Sequence, residues 1–462
     1  MTAPIVDVAI VGGGMAGLSA AWELQQRGLQ ARVLEASTRA GGVVTTERFD
    51  GWVIDGGPDA LLIQKPAALA LCRELGLQDR LHPTLPPRTS YILRGGRLHP
   101  LVEGSFLGFP LSATSLARST IFSWPGKLRM AMEVLMPVGG SADESIGAFI
   151  RRRFGQEAVS YLADPMLAGI HAGDVEKLSL RALFPRFAEA ERSRGSVLRA
   201  FRALQAKPAP NGAFMSLPGG TAELAETLAG ALTPGTVVCN ARVTSIQRGT
   251  TYTLEHAGGV TESRAVILAA PAYVTASLVR PLNAGLATLC DSVPYASTAT
   301  VAFGYRRDQV AHPMRGTGFL VPKVEPCALL AGTWVSSKWP GRAPDGHVLL
   351  RGFLGGGRDP HRLDASDEEL IALARTELTR LLGISGPPLF ARLFRWTRQS
   401  PQFEVGHLDT VRAIDGHLAD MPGLFVAGSG FRAIGIPDCV ADGREMAGRA
   451  AAHLATLSSG TL

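Results

Sequence analysis

Residues 6–46 read VDVAIVGGGMAGLSAAWELQQRGLQARVLEASTRAGGVVTT, and the reading of the whole chain starts here. Val8, Ile10 and Val11 form a short apolar run that suits a strand buried in a parallel sheet. Gly12, Gly14 and Gly17 follow as G-x-G-x-x-G. Ala20, Ala21 and Leu24 then recur at helical spacing, and Gly28 supplies a helix stop. Ala31 to Leu34 predicts a second strand, closed by Glu35. In such a unit Gly12 allows a tight turn, Gly14 leaves room for a pyrophosphate against the backbone, and Gly17 lets the helix lie close on the sheet. The helix N-terminus offers unpaired N–H groups and a positive dipole end to phosphate. Glu35, at the end of the second strand, is placed to accept hydrogen bonds from a ribose. Glycine spacing alone means little in a chain with 53 glycines. Strand, glycines, helix, strand and acid in this order predict a dinucleotide-binding βαβ unit.

The next residues distinguish between dinucleotides. Arg39, Gly41 and Gly42 continue from Glu35 as E-x-x-x-R-x-G-G. This resembles the second signature of the flavin amine oxidase superfamily, which includes amine oxidases, phytoene desaturases and protoporphyrinogen oxidases. The resemblance implies FAD, with Arg39 and Gly42 lining it as it runs inward. Gly56-Gly57-Pro58-Asp59 reads as a rigid loop after a hairpin turn at Phe49–Trp52. Family members carry a G-P motif there, which implies Gly57 beside the flavin.

Size and composition narrow the class. A chain of 462 residues with 46% hydrophobic and 19% charged residues is globular and long enough for two or three domains. A net charge of +6 and a pI of about 9.2 fit an acidic ligand or an anionic surface. The one basic run, Arg151-Arg152-Arg153, reads as a solvated helix face, so no nucleic-acid partner is expected. Five scattered cysteines without CxxC spacing argue for a reducing compartment and against a metal site. No run of 18 apolar residues predicts a membrane span, and the Gly-rich start lacks a signal peptide's basic region.

Along the chain, residues 88–101 form a hairpin about Gly95-Gly96. Arg88 precedes it where protoporphyrinogen oxidases place an Arg that pairs with a substrate propionate, a role suited to a bidentate guanidinium. Residues 105–210 turn helical. Within them Leu116 to Val138 is basic and amphipathic, divided by Pro125, and reads as a membrane-interface segment, a lid or an ordinary helical subdomain. Ser141 or Asp143 predicts the cap of the helix carrying Ile146, Phe149 and Ile150. The segment Ala168-Gly169-Ile170-His171-Ala172-Gly173-Asp174 resembles the helical domain of bacterial oxygen-dependent porphyrinogen oxidases, which implies Gly169 against the substrate macrocycle; His171 reads as structural. Lys207–Asn211 (KPAPN) returns the chain to the nucleotide domain, and Thr221 reads as a helix cap.

Val237 to Ile246 predicts a strand, and the resemblance implies an adenine contact at Val243. Residues 285–395 alternate strands with one amphipathic helix at 367–382, an antiparallel sheet with a helix across it. Leu320, Trp334 and Phe353 match positions where plant relatives set apolar side chains against the tetrapyrrole. Trp396 matches the family's pre-C-terminal motif. Gly428 lies in a glycine turn, and Gly435-Ile436-Pro437-Asp438-Cys439 opens a helix expected through Ala452. Its N-terminus suits the flavin edge where negative charge accumulates on reduction. Cys439 reads as a packed thiol, so FAD is expected to be non-covalent.

Together these features identify the chain as a member of the bacterial oxygen-dependent protoporphyrinogen/coproporphyrinogen oxidases within the flavin amine oxidase superfamily. The expected class is α/β: a discontinuous Rossmann-like FAD-binding domain (1–60, 212–285 and 396–462), an α+β substrate domain (61–104 and 286–395) and a helical domain (105–211). The resemblance implies FAD-dependent oxidation of protoporphyrinogen IX to protoporphyrin IX in heme biosynthesis, with O2 as acceptor and H2O2 as product. Coproporphyrinogen III is the alternative substrate. An amine oxidase or carotenoid desaturase, and a porphyrin carrier without turnover, are the further alternatives. No side-chain catalyst and no metal are expected. The expected location is the cytoplasm, with peripheral membrane contact through 116–138, and ferrochelatase or another pathway enzyme is a candidate partner. Monomer and homodimer both stay open.

Overall fold

The apolar run becomes the central strand β1 (Val6–Val11), in which Val8, Ala9 and Ile10 are fully buried. In the computed structural model, which describes residues 5–102, 105–106, 108–110, 112–140, 143–203 and 212–459, β1 runs parallel to β2 (Ala31–Leu34) on one side and to the Gly259–Leu268 strand on the other. Val237–Val238 adds to β2, and Leu424–Val426 adds to the Gly259–Leu268 strand, both in parallel. One sheet therefore collects strands from three distant parts of the chain. The Gly259–Leu268 strand serves twice. Its first half closes an antiparallel meander with Tyr252–His256, which in turn pairs with Val243–Arg248, and its second half enters the parallel sheet. The single strand expected at Val237 to Ile246 is in fact two, because Asn240 adopts a left-handed backbone (φ 55) between them.

Helix α1 (Met15–Gln26) covers this sheet and packs on the last described helix, Ile436–Ser459. A Cβ at Gly443 would lie 2.1 Å from the Ala16 carbonyl oxygen, so the two backbones meet where no side chain fits. The helix continues past Ala452, since nothing in its sequence stops it before Ser459.

A second seven-stranded sheet runs in the order Phe390–Pro401, Tyr295–Arg306, His347–Gly355, Ala331–Trp334, Gly318–Leu320, Ser90–Arg94 and Arg97–Pro100. Only the Gly318–Leu320 and Ser90–Arg94 pair is parallel. The Asp367–Leu382 helix buries Leu370, Ala374, Leu378 and Leu382. These pack with Val301, Phe303 and Leu350 of the sheet. Ser366 and Glu369 form its capping box and Gly383 ends it in the left-handed conformation. The Phe390–Pro401 strand carries this sheet past residue 395 and through Trp396.

The helical region packs Ile146–Phe154, Asp164–His171, Pro185–Arg194 and Val197–Ala203 around Phe149, Phe154, Leu162, Phe187 and Phe201. Three expectations are corrected here. Ser145, not Asp143 or Ser141, caps the first of these helices through the Ala148 N–H; Asp143 instead accepts from the Ser179 hydroxyl. Ser141 and Lys207–Asn211 lie outside the described residues. Pro125 sits in the first turn of Trp124–Ala131 behind its Ser123 cap, so it starts that helix and the break falls before it. Arg151-Arg152-Arg153 is not one solvated face, because consecutive helical residues point about 100° apart. Arg153 is fully buried, paired with Glu133 and Glu191.

Thr221 precedes its helix without a capping bond and donates instead to the Pro58 carbonyl. Along 116–138, Trp124, Leu128, Leu135 and Val138 are exposed. Among the described residues, no helix is long and apolar enough to cross a membrane.

Candidate cofactor and substrate site

The turn between β1 and α1 has one open side. Helix α1 begins at Gly14, whose extended backbone carries no side-chain cap, so the first-turn N–H groups face outward without a side-chain partner. A Cβ at Gly12 (φ 105) would meet the Ala269 carbonyl oxygen at 2.7 Å, and one at Gly17 would meet the Gly12 oxygen at 1.9 Å. A Cβ at Gly14 would meet nothing within 4 Å. The sterics therefore close the cradle on two glycines and leave it open at the third, the shape a pyrophosphate needs.

Glu35 accepts from the Gly13 N–H (2.6 Å) and the Ser37 N–H (2.8 Å), which holds its carboxylate over the turn. Arg39 donates to the carbonyls of Ala40, Gly42 and Val44 (3.1, 2.7 and 3.1 Å). Its guanidinium thus staples the loop that brings Gly42 against Gly14, whose Cα would lie 3.3 Å from a Cβ at Gly42. Val243 is buried, and its strand is tied to the same corner by Ala241 N–H to the Glu35 carbonyl and Asn240 N–H to the Ser37 carbonyl, both 2.8 Å.

The C-terminal segment reaches the same place. Gly428 turns with φ 99 beside Ala16 and donates to the Asp442 carboxylate at 2.6 Å. Burial pushes the Asp442 carboxyl up against that hydrogen bond. Gly435, Ile436 and Pro437 open the last helix, with Lys65 paired to Asp438 at 2.6 Å. Burial first, then Asp442 and Asp438, push the Cys439 thiol up to about 12, so it stays protonated near neutral pH. The open side at Gly14, the uncapped helix start and the flanking carboxylate fit a dinucleotide.

A second wall stands opposite. The Gly56 carbonyl accepts from the Trp396 indole N–H (2.9 Å), and a Cβ at Gly57 would lie 1.9 Å from the Val43 oxygen. The Gly57 carbonyl accepts from Arg351 at 2.8 Å. In the antiparallel sheet, Phe353 pairs with Thr300 and Ala331, Ala331 with Leu320, and Leu320 with Ile92. Residues opposite one another share a face, so Leu320 and Phe353 look the same way. Gly169 comes onto this face: a Cβ there would lie 2.7 Å from the Leu320 side chain. Arg88, two residues before Ser90, is exposed and anchored by its Nε to the Thr84 carbonyl and hydroxyl (3.0 and 3.1 Å).

Trp334 does not join them. It pairs with Leu350, three positions from Phe353, and the two-residue alternation turns it to the opposite face. There it is fully buried with Tyr91 and His312 in the core under the Asp367–Leu382 helix. The expectation that Trp334 lines the substrate pocket is corrected on this ground.

Two further features border the site; His171 was read from the sequence as structural, and the charge cluster was not read at all. His171, at the end of the helix carrying Gly169, faces Lys65 and Asp438. Burial, reinforced by Lys65 and opposed by Asp438, brings its pKa down to about 4, so the ring is neutral at pH 7. A buried charge cluster also lies behind Gly57. Asp59 holds Lys338 (2.8 Å) and the Trp339 indole (3.3 Å), and Asp55 faces Arg342 at 3.1 Å. Burial works to raise the Asp59 carboxyl, but Lys338 and Arg351 outweigh it and keep the group well below the usual carboxylate range. Asp55 and Asp59 flank the Gly56-Gly57-Pro58 loop in sequence, whereas their cations come some 280 residues later, from a short helix (Lys338), a loop (Arg342) and a strand (Arg351).

Residues 15–451 match the family described as flavin containing amine oxidoreductase. The chain is 33% identical over 464 residues to coproporphyrinogen III oxidase of Bacillus subtilis (strain 168), covering 97% of this chain and 98% of that one. It is 29% identical to the chloroplastic protoporphyrinogen oxidase of Nicotiana tabacum, over 96% and 85% of the two chains. A crystal structure from Exiguobacterium sp. 255-15, described as a candidate protoporphyrinogen oxidase, superposes with a TM-score of 0.88 at 30% identity, over 97% of this chain and 99% of that one.

Proposed function

Because this chain belongs to the flavin-containing amine oxidoreductase family and is a flavin-dependent oxidoreductase, we propose that it binds FAD non-covalently and oxidises a porphyrinogen to the porphyrin with O2 as acceptor. Bound flavin would supply the two-electron acceptor. The chain's own residues then have to bind, orient and exclude water. The α1 N-terminus and Gly14 receive the pyrophosphate, Glu35 the ribose, and Val243 the adenine side. Arg39 keeps Gly42 in place, while Gly57, Trp396, Gly428, Gly435, Ile436 and Pro437 frame the ring.

The observation that carries the substrate class is the convergence of Gly169, Leu320 and Phe353 on one sheet face opposite the Gly57 loop. A glycine, an aliphatic side chain and an aromatic one on a single face suit a large planar apolar ring. Exposed Arg88, two residues before the Ser90–Arg94 strand of this sheet, suits a propionate. Neutral His171 adds no charge to it at pH 7. Arg88→Ala should therefore raise KM several-fold and leave kcat within about twofold. Unchanged kinetics would remove Arg88 from the substrate site.

Protoporphyrinogen IX and coproporphyrinogen III differ in two side chains, vinyl against propionate. The coproporphyrinogen III reading is favoured by the 33% identical bacterial relative. Aerobic turnover of both substrates by the purified yellow protein, followed by porphyrin fluorescence, decides between them. Flavin-loaded protein that turns over neither would overturn the porphyrinogen reading in favour of an amine or polyene substrate. Peripheral contact with a bilayer through 116–138 belongs to the same proposal, supported by exposed Trp124, Leu128 and Leu135 beside Lys127. Flotation with anionic but not neutral vesicles tests it.

A further inference from the structure

The cluster behind Gly57 is more positive than its surroundings require. Among the described residues, Lys338, Arg342 and Arg351 pair with two carboxylates, Asp55 and Asp59, which leaves one buried positive charge without a counterion within the cluster. The surplus centres on Arg351. This side chain is 1% exposed, and its distance to Asp59 is 3.9 Å, longer than the 2.8 Å from Lys338. Its Nε has no hydrogen-bond partner among the described residues. One terminal nitrogen donates to the Gly57 carbonyl, and the guanidinium lies 4.9 Å from the centre of the Phe353 ring. Arg351 therefore joins the loop proposed to frame the flavin to the wall proposed to hold the substrate. An arginine in such a position holds its charge more firmly than a lysine or histidine would.

We propose that Arg351 is a positioning residue for the flavin: it fixes the Gly57 loop to the Phe353 wall and sets a buried positive charge behind that loop, so that the bound flavin would accept electrons more readily. This rests on the flavin site proposed above. The charge acts through the Gly57 peptide and through space, in surroundings where little solvent screens it. Reduction adds negative charge to the ring, so removing the cation must make reduction harder.

The test is the two-electron midpoint potential of the flavin in the full-length, flavin-loaded protein, titrated against a reference dye. Arg351→Met keeps the length and removes the charge, and its potential should shift downward. Arg351→Lys restores a charge without the planar fork and should recover most of that shift. Should Arg351→Met fail to fold, Lys338→Met removes a cation from the same cluster and should also shift the potential downward. Equal potentials in the wild type and in whichever charge-removing variant folds would overturn the proposal and leave the flavin reading standing. Wild-type protein that takes up no flavin would overturn both.

Discussion

The glycines at 14 and 17 make opposite predictions although they belong to one motif. At Gly17 a methyl group would sit 1.9 Å from the Gly12 carbonyl oxygen, where an ordinary carbon–oxygen contact is about 3.3 Å. Both partners are backbone, so no side chain can swing aside, and α1 must move outward by more than about 1 Å. Its face from Met15 to Ala21 is buried, so that movement loosens the packing of the whole helix. Overpacking of this kind costs about 3 kcal/mol at the upper end, and the better helix propensity of alanine returns about 1. Gly17→Ala should lower apoprotein stability by about 2 kcal/mol. At Gly14 an added Cβ meets nothing within 4 Å, and the backbone there is extended (φ −73, ψ −178), which valine adopts readily. Gly14→Val should change apoprotein stability by less than about 1 kcal/mol while abolishing flavin retention. Urea denaturation of the flavin-stripped proteins, with the ratio of flavin to protein absorbance after purification, reads both. A fully yellow Gly14→Val protein, or a Gly17→Ala protein as stable as the wild type, would refute the steric argument.

Phe353→Ala should act on substrate, raising KM with little loss of stability. Trp334→Ala, on the other face of the same sheet, should cost about 3–5 kcal/mol of stability and leave the KM of the surviving protein unchanged; steady-state kinetics and thermal melts separate the two. The pH dependence of stability should carry a His171 signature. Its folded pKa of about 4 lies below the ordinary 6.5, so between those values the unfolded chain binds a proton that the folded chain refuses, and stability falls as pH falls through that window. His171→Gln should flatten that fall by up to about 3 kcal/mol, and an unchanged slope would show that the ring titrates normally.

What was legible in the sequence is what is local or periodic. The β1–α1–β2 unit could be read because glycine spacing, helical periodicity and the closing acid lie within thirty-odd residues. The Asp367–Leu382 helix announced itself by its apolar stripe. Trp334 was misread because which face a strand residue takes depends on its register with strands far away, and no single strand contains that information. Arg153 was misread for a related reason: its partners Glu133 and Glu191 lie 20 and 38 residues off, on other turns of the helical domain. The charge cluster behind Gly57 was out of reach altogether, since Asp59 and its Lys338 partner are 279 residues apart.

The shared parallel sheet has a consequence for biosynthesis. Strand β1 leaves the ribosome well before its neighbour strand, which ends at Leu268, and before the helix packed on Ala16, which begins at Ile436. At ordinary elongation rates the nascent βαβ unit waits roughly 20–80 seconds for the remaining four hundred or so residues. During that time one edge of β1 and one side of α1 lack the surfaces that later bury them. In the flavin site proposed above, the Gly428 turn and the Ile436–Ser459 helix complete the cradle that β1 begins. A chain stopped before Ile436 should leave the cell colourless however much riboflavin is fed, and should associate with chaperones through its own first thirty residues.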